Sequence, residues 1–229
     1  MVKRERYLQR IRSFYDSEMV KVITGIRRCG KSTLMQQIIA EIQQRNVADD
    51  HIIYINFENY KFRKISNPDA LYEYVENKIK DNKKYYLFID EIQNVPEFEL
   101  VINSFRATHN ISIFITGSNS KLLSGELATH LSGRTLSFRI MPFCFKEFAA
   151  FYEEKGEHIP SEQLLDSYML WGGFPLTCKE ENDSEKEVLL SNIYDSVVLK
   201  DVVMRNKIAS VTALDRVLEY VIANSSLTI

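Results

Sequence analysis

Eight consecutive residues, Gly25-Ile26-Arg27-Arg28-Cys29-Gly30-Lys31-Ser32, fit the pattern G-x-x-x-x-G-K-[ST] at every fixed position. Each fixed residue type answers a need of phosphate chemistry. Glycines let the backbone curl until its N–H groups converge on phosphate oxygens. A helix opening near Lys31 adds the positive end of its dipole. Lys31 is placed to reach the β- and γ-phosphates of a nucleotide and is expected to face solvent. The Ser32 hydroxyl suits magnesium, and Thr33 falls near the α-phosphate. Gly25, Ile26, Arg27, Arg28, Cys29, Gly30, Lys31, Ser32 and Thr33 are therefore the expected ATP-binding set. At the variable positions plainer roles compete. Arg27 and Arg28 read as solvated or loop-packing arginines before phosphate ligands. Cys29 reads as a spacer, since a redox-sensitive thiol needs exposure and a lowered pKa.

A second group follows about sixty residues on. Tyr85 to Ile89 is an apolar run that ends in Asp90-Glu91. Asp90 is the expected magnesium holder, and Glu91 the group that orients and deprotonates an attacking water. Two solvated turn acids are the bland alternative. A third run, Ile113 to Thr116, ends in Gly117-Ser118-Asn119. Ser118 or Asn119 can hydrogen-bond a γ-phosphate or the lytic water, or can simply cap a helix. Arg134, in Leu131-Ser132-Gly133-Arg134-Thr135, suits transition-state charge on a nucleotide, its own or a neighbour's; a structural ion pair or a solvated arginine is the competing role.

These groups need elements to hold them. Residues 5–14 carry Tyr7, Ile11 and Phe14 at helical spacing. Residues 19–24 read as a strand, and Ser32 to Gln44 as a helix with Leu34, Ile38, Ile39 and Ile42 on one face. Strands are expected at 51–57, 85–89, 111–116 and 136–140, with helices at 69–82 and 97–108. Near-continuous apolar strands alternating with helices predict a parallel α/β sheet covered on both faces. The fold class expected is the P-loop NTPase type with five strands, in which the Ile111–Thr116 strand lies between the phosphate-loop strand and the acidic strand. After Met141-Pro142 the strand signal fades, and helices are expected at 145–154, 162–170, 185–206 and 212–223. The predicted organisation is an N-terminal amphipathic helix (1–15), an ATPase core (16–141), a helical lid (142–206) and the start of a further domain (207–229). Between lid helices, Gly172-Gly173 reads either as a tight turn or as a hinge for lid closure.

Composition narrows the function classes. The chain has 229 residues, 45% hydrophobic and 26% charged, with a formal net charge of −2. No global basic field marks a nucleic-acid binder, although a local patch is compatible with that total. The three cysteines, Cys29, Cys144 and Cys178, form no metal-ligand or disulfide pattern. No apolar signal core or transmembrane run occurs, so the expectation is a cytoplasmic protein with no membrane contact.

Together these residues resemble the prokaryotic AAA+ ATPases that carry a C-terminal domain of unknown function, with an AAA part close to the archaeal ATPase branch. The resemblance rests on the phosphate loop, on Phe88-Ile89-Asp90-Glu91-Ile92-Gln93, on Ile115-Thr116-Gly117-Ser118-Asn119-Ser120, and on Leu131-Ser132-Gly133-Arg134 with Met141-Pro142-Phe143. Trp171-Gly172-Gly173-Phe174-Pro175, Tyr194, Lys200-Asp201 and Arg205 extend it through the helical part. It implies an ATP- and magnesium-dependent ATPase, a homo-oligomer, and a longer chain running through a winged-helix-like segment to a further α/β domain. Because this chain stops at Leu227-Thr228-Ile229, truncation is the expectation, and a DNA or protein partner would be reached through the missing region.

Three functions compete: a hydrolysing ATPase whose lid works on a partner, a nucleotide-gated switch with slow hydrolysis, and a P-loop small-molecule kinase. Asp90-Glu91 beside a polar strand end favours water as nucleophile over a kinase acceptor. No Asn-Lys-x-Asp guanine-recognition motif is present. Turnover measured with and without DNA separates the first two.

Overall fold

The apolar runs become the strands of one parallel sheet. The structure, a computed structural model, describes residues 2–118, 131, 133–203, 208 and 210–225. Strands β1 (Val20–Gly25), β2 (Ile52–Asn56), β3 (Tyr85–Asp90), β4 (Ile111–Ser118) and β5 (Thr135–Ile140) lie in the order β2-β3-β4-β1-β5. Every pairing is parallel. β4 thus separates the phosphate-loop strand from the acidic strand, as expected.

Both faces of this sheet are covered, which explains why its strands read as unbroken apolar runs. Helices α1 (Glu5–Arg12) and α2 (Lys31–Gln43) pack Leu8, Ile11, Leu34 and Ile38 on one face, against Ile23, Phe88 and Phe114. Helices α3 (Pro68–Glu76) and α4 (Phe98–Thr108) pack Leu71, Val75, Ile102 and Phe105 on the other, against Val22, Leu87 and Ile113. The helix expected to run to residue 82 stops at Glu76. Its start is fixed by Asn67, whose side chain accepts from the Ala70 N–H, with Pro68 beginning the first turn.

One strand residue breaks the apolar pattern. Lys21 is fully buried, its Nζ donating to Ser112 Oγ at 2.6 Å and to the Ser17 carbonyl at 2.9 Å, over the Phe114 ring. Burial, aided by the charge of Lys84 and opposed by Asp16, pushes its pKa down to about 7. The unfolded chain therefore holds this proton up to about pH 10.4, whereas the folded chain releases it near 7. Stability contributed at this site is lowest below pH 7 and rises between 7 and 10.4. Lys21→Met should raise stability at pH 6 by about 1–2 kcal/mol and flatten that rise. Thermal melts of both proteins from pH 6 to 10 check this; an unaltered pH profile contradicts it.

Beyond the sheet, α5 (Phe145–Glu154) and α6 (Ser161–Trp171) gather Phe148 and Leu164 with Phe143, Cys178 and Val2. Gly173 is locked into this cluster. A Cβ there would stand 2.0 Å from the Phe143 carbonyl oxygen, and the Gly173 carbonyl accepts from the Phe143 N–H at 2.7 Å. Tyr168 OH donates to that same Phe143 carbonyl at 3.0 Å. This close backbone contact favours the tight-turn reading of Gly172-Gly173 over a hinge.

The chain divides into two compact units, residues 1–179 and 180–229, so the division falls inside the segment expected to be one helical lid. The second unit contains α7 (Asp183–Asp195), a π-helical stretch from Ser196 to Val203, and α8 (Val211–Asn224). The expected single helix over 185–206 is thus an α-helix that widens at Ser196, and its last residues, with Arg205, lie outside the described ones. No helix among the described residues is long and apolar enough to cross a membrane.

Candidate active site

A parallel sheet collects all its strand C-termini on one edge, and ligand-binding groups of α/β proteins gather there. The register sets Gly25 beside Ser118 on one side and Ile140 on the other, and Asn56 beside Asp90. Gly25 has no room for a side chain: a Cβ would meet the Ile140 carbonyl oxygen at 2.5 Å and Cys29 Sγ at 2.8 Å. The loop then turns through Arg28, whose φ of 63° lies in the left-handed region, and enters α2 at Lys31. Ser32 and Thr33 occupy the first turn of that helix. Arg27 and Arg28 are exposed.

Lys31 does not face solvent as expected. It is 5% exposed, and its Nζ donates to the carbonyls of Gly25 and Ile26, each at 3.2 Å. The same Nζ is 3.9 Å from Glu91 Oε1. Cys29 is fully buried, and burial raises its thiol pKa above the ordinary value. Both facts oppose a reactive thiolate and favour the spacer role.

The acidic pair is not a solvated turn. Asp90 is 1% exposed. The buried Thr116 hydroxyl donates to Asp90 Oδ1 and accepts from the Glu91 N–H at 3.0 Å. Tyr54 OH stands 3.5 Å from Asp90 Oδ2; burial first, then the Asp90 charge, raises the tyrosine pKa. Glu91 sits at φ 57°, ψ 48°, a left-handed backbone uncommon outside glycine and concentrated at functional sites. Gln93, in the short 3-10 turn Ile92–Asn94, donates from Nε2 to Glu91 Oε2. Its Oε1 is buried without a partner among the described residues.

The structure therefore brings Lys31, Asp90 and Glu91 together with the loop, and β4 carries Ser118 alongside Gly25. Asn119 lies outside the described residues. Arg134 is elsewhere. Its carbonyl accepts from the Val20 N–H at 2.9 Å, at the N-terminal edge of the sheet, and its Nη1 donates to Asn103 Oδ1 at 3.0 Å. Val20 and Gly25 are the two ends of the 6-residue β1, five steps or about 17 Å apart at strand rise. An arginine side chain does not span that, so the register speaks against action on the chain's own phosphate loop.

Sequence reasoning assigned no role to Thr116, Gln93 or Arg4. Thr116 was visible as a polar residue closing a buried strand, and Gln93 as the end of the Asp-Glu-Ile-Gln segment. Arg4 reads as one charge among several. In the fold it borders a cavity of about 370 Å³ whose walls include Gly30, Thr33, Val2, Phe143, Phe151 and Pro175.

A parallel sheet in this strand order, with a glycine-bracketed loop feeding α2 and a carboxylate pair on the same edge, defines a P-loop NTPase-like fold. Residues 17–149 match the family model described as AAA domain, and the chain belongs to that family. Among sequence relatives, an uncharacterized protein of Haemophilus influenzae is 37% identical over 225 residues, covering 98% of this chain and 56% of its own length. Uncharacterized protein MJ1544 of Methanocaldococcus jannaschii is 34% identical, covering 90% and 46%. The chain thus spans about half the length of the curated relatives it matches. Among solved structures, the Walker-type ATPase PABY2304 of Pyrococcus abyssi superposes with a TM-score of 0.61 at 14% identity, over 91% of this chain and 77% of the other. The signal transduction ATPase PH0952 of Pyrococcus horikoshii, with a tetratricopeptide repeat sensor, gives 0.50 at 16%, over 85% and 32%. At such identities the likeness is one of fold.

Proposed function

We propose that this chain binds ATP with magnesium and hydrolyses it. One observation carries the reading: Lys31, from the helix after β1, and Glu91, from the end of β3, converge to 3.9 Å at the C-terminal edge of the sheet. The loop N–H groups and Lys31 hold the phosphates, and Glu91 takes the proton of the attacking water. Ser32 and Asp90 offer the hydroxyl and carboxylate oxygens that magnesium prefers. No group of three or more His, Cys, Asp or Glu side chains arranged for a metal occurs among the described residues. That suits an ion that completes its shell with phosphate and water. Magnesium bound there would neutralise charge on the β- and γ-phosphates. The cavity beside Gly30 and Thr33 has mostly apolar walls, with Arg4 and Lys179 also bordering it, and the size of a small-ligand pocket, which suits the base.

Ser118 and Asn119 keep the proposed γ-phosphate or water contact. Arg134 is proposed to act on the nucleotide of a neighbouring copy, because its sheet edge lies away from its own loop; this makes a homo-oligomer part of the reading. The helices within residues 142–206 are the proposed lid. A second reading, a nucleotide-gated switch with slow hydrolysis, is favoured by the Gln93 amide, which already occupies a carboxylate oxygen of the proposed base.

Calorimetric titration with ATP, and phosphate release measured with magnesium or with EDTA, test both. Tight binding with magnesium-dependent release supports hydrolysis. Tight binding with negligible release selects the switch, and absence of binding overturns both.

A further inference from the structure

Arg4 is 1% exposed, and every nitrogen of its guanidinium has an acceptor. Nε donates to Glu147 Oε1 at 2.9 Å, Nη2 to the Met141 carbonyl at 2.7 Å and Nη1 to the Cys29 carbonyl at 3.0 Å. Tyr7 and Phe143 hold the plane from their ring faces, with centroids 4.9 and 5.1 Å from the guanidinium carbon. Glu147 is itself fixed, because its Oε2 accepts from the Cys144 N–H at 3.0 Å at the start of α5. The Arg4 backbone is also tied, its N–H donating to Gln37 Oε1 of α2 at 2.9 Å. A planar fork with an acceptor on each of its three nitrogens is a positioning device, and lysine cannot reproduce it.

The third of these bonds falls on the phosphate loop itself. The Cys29 carbonyl belongs to the peptide unit that also carries the Gly30 N–H. In a trans peptide the C=O and N–H point in opposite directions, and none of the described peptide bonds is cis. A Cys29 carbonyl drawn towards Arg4 therefore aims the Gly30 N–H in the opposite direction, away from the guanidinium. Gly30 is the residue just before Lys31, where loop N–H groups turn towards an anion.

We propose that Arg4 is a positioning residue of the phosphate site: by gripping the Cys29 carbonyl it sets the Gly30 N–H towards bound phosphate, and through Glu147 it ties that setting to the start of α5. This rests on the nucleotide reading above. Arg4 lies outside the matched AAA span of residues 17–149, so the N-terminal segment becomes part of the site and not only a flanking helix.

The probes are magnesium pyrophosphate, which engages the loop without the base cavity that Arg4 also borders, and the Gly30 amide resonance in the full 229-residue chain. Arg4→Met should weaken pyrophosphate about 10–100-fold, the worth of a hydrogen bond to a charged group. Arg4→Lys keeps the charge on a single donor nitrogen and should lose less. In both variants the free-protein Gly30 amide signal should move and its shift on adding pyrophosphate should shrink, which a loss of general stability alone does not produce. If Arg4→Met does not fold, Arg4→Lys and Glu147→Gln carry the same two measurements. Wild-type binding together with unchanged affinity and an unchanged Gly30 signal in the folded variants overturns this proposal alone. Wild-type protein that binds neither pyrophosphate nor ATP removes the nucleotide reading, and this inference with it.

Discussion

Glu91→Gln should lower single-turnover ATP hydrolysis about 10²–10⁴-fold, the usual cost of losing a positioned general base, while ATP affinity is kept. The substitution changes little besides the base. The Glu91 N–H still reaches Thr116, since that bond is to the backbone. The left-handed backbone at Glu91 tolerates Gln no worse than Glu. Gln93 can still donate to the new amide oxygen, so the 3-10 turn should hold. The charge lost is one facing Lys31 at 3.9 Å, and its removal leaves the ammonium more available to phosphate. Affinity should therefore stay level or rise slightly, giving a protein that traps ATP. Rapid-quench measurement of a single turnover, with enzyme in excess, reads the chemical step directly. Hydrolysis at the wild-type rate would remove Glu91 from the role of base, whatever its effect at steady state.

Local pattern carried much of this site, because its chemistry depends on contiguous residues. The loop from Gly25 to Thr33 is one turn joining one strand to one helix, and Asp90-Glu91 is the last step of one strand. Their meeting was also legible, since parallel strands must share an edge. Contacts between distant segments were not. Lys31 looked solvent-facing because a loop lysine normally is; only the fold reveals the two carbonyls that receive it. Arg4 and Glu147 stand 143 residues apart, and neither is unusual among its neighbours. Thr116 holds Asp90 and Glu91 across the β3–β4 boundary, a relation set by register and not by spacing. Arg134 was legible as an arginine before a strand, but which end of the sheet it serves depends on the pairing of Val20 with Thr135. The helical part was the least legible at its boundaries. The run Ser-Val-Val-Leu from Ser196 has the apolar spacing of an α-helix yet winds as a π-helix, and apolar spacing alone does not separate the two.

Lys31→Ala should weaken ATP about 10²–10³-fold, or roughly 3–4 kcal/mol at 1.4 kcal/mol per tenfold, within the range for truncating one partner of a buried charge pair. The loss should belong to the phosphates and not to the base. Adenosine, which can enter the cavity beside Gly30 and Thr33 but presents no phosphate, should bind wild type and variant alike; pyrophosphate should follow ATP. Stability is a separate matter, since Lys31 is buried and donates to Gly25 and Ile26. Alanine leaves those two carbonyls without their donor, though water can reach a loop at the sheet edge, so the cost should stay within about 1–2 kcal/mol. Lys31→Met retains most of the stem and separates lost packing from lost charge. Titrations of ATP, pyrophosphate and adenosine against all three proteins, each with a thermal melt, resolve these effects. Equal losses for ATP and adenosine would point to a collapsed loop. Unchanged ATP affinity in a folded Lys31→Ala protein would remove the phosphate-loop assignment, and Glu91 would lose the substrate it is placed to act on.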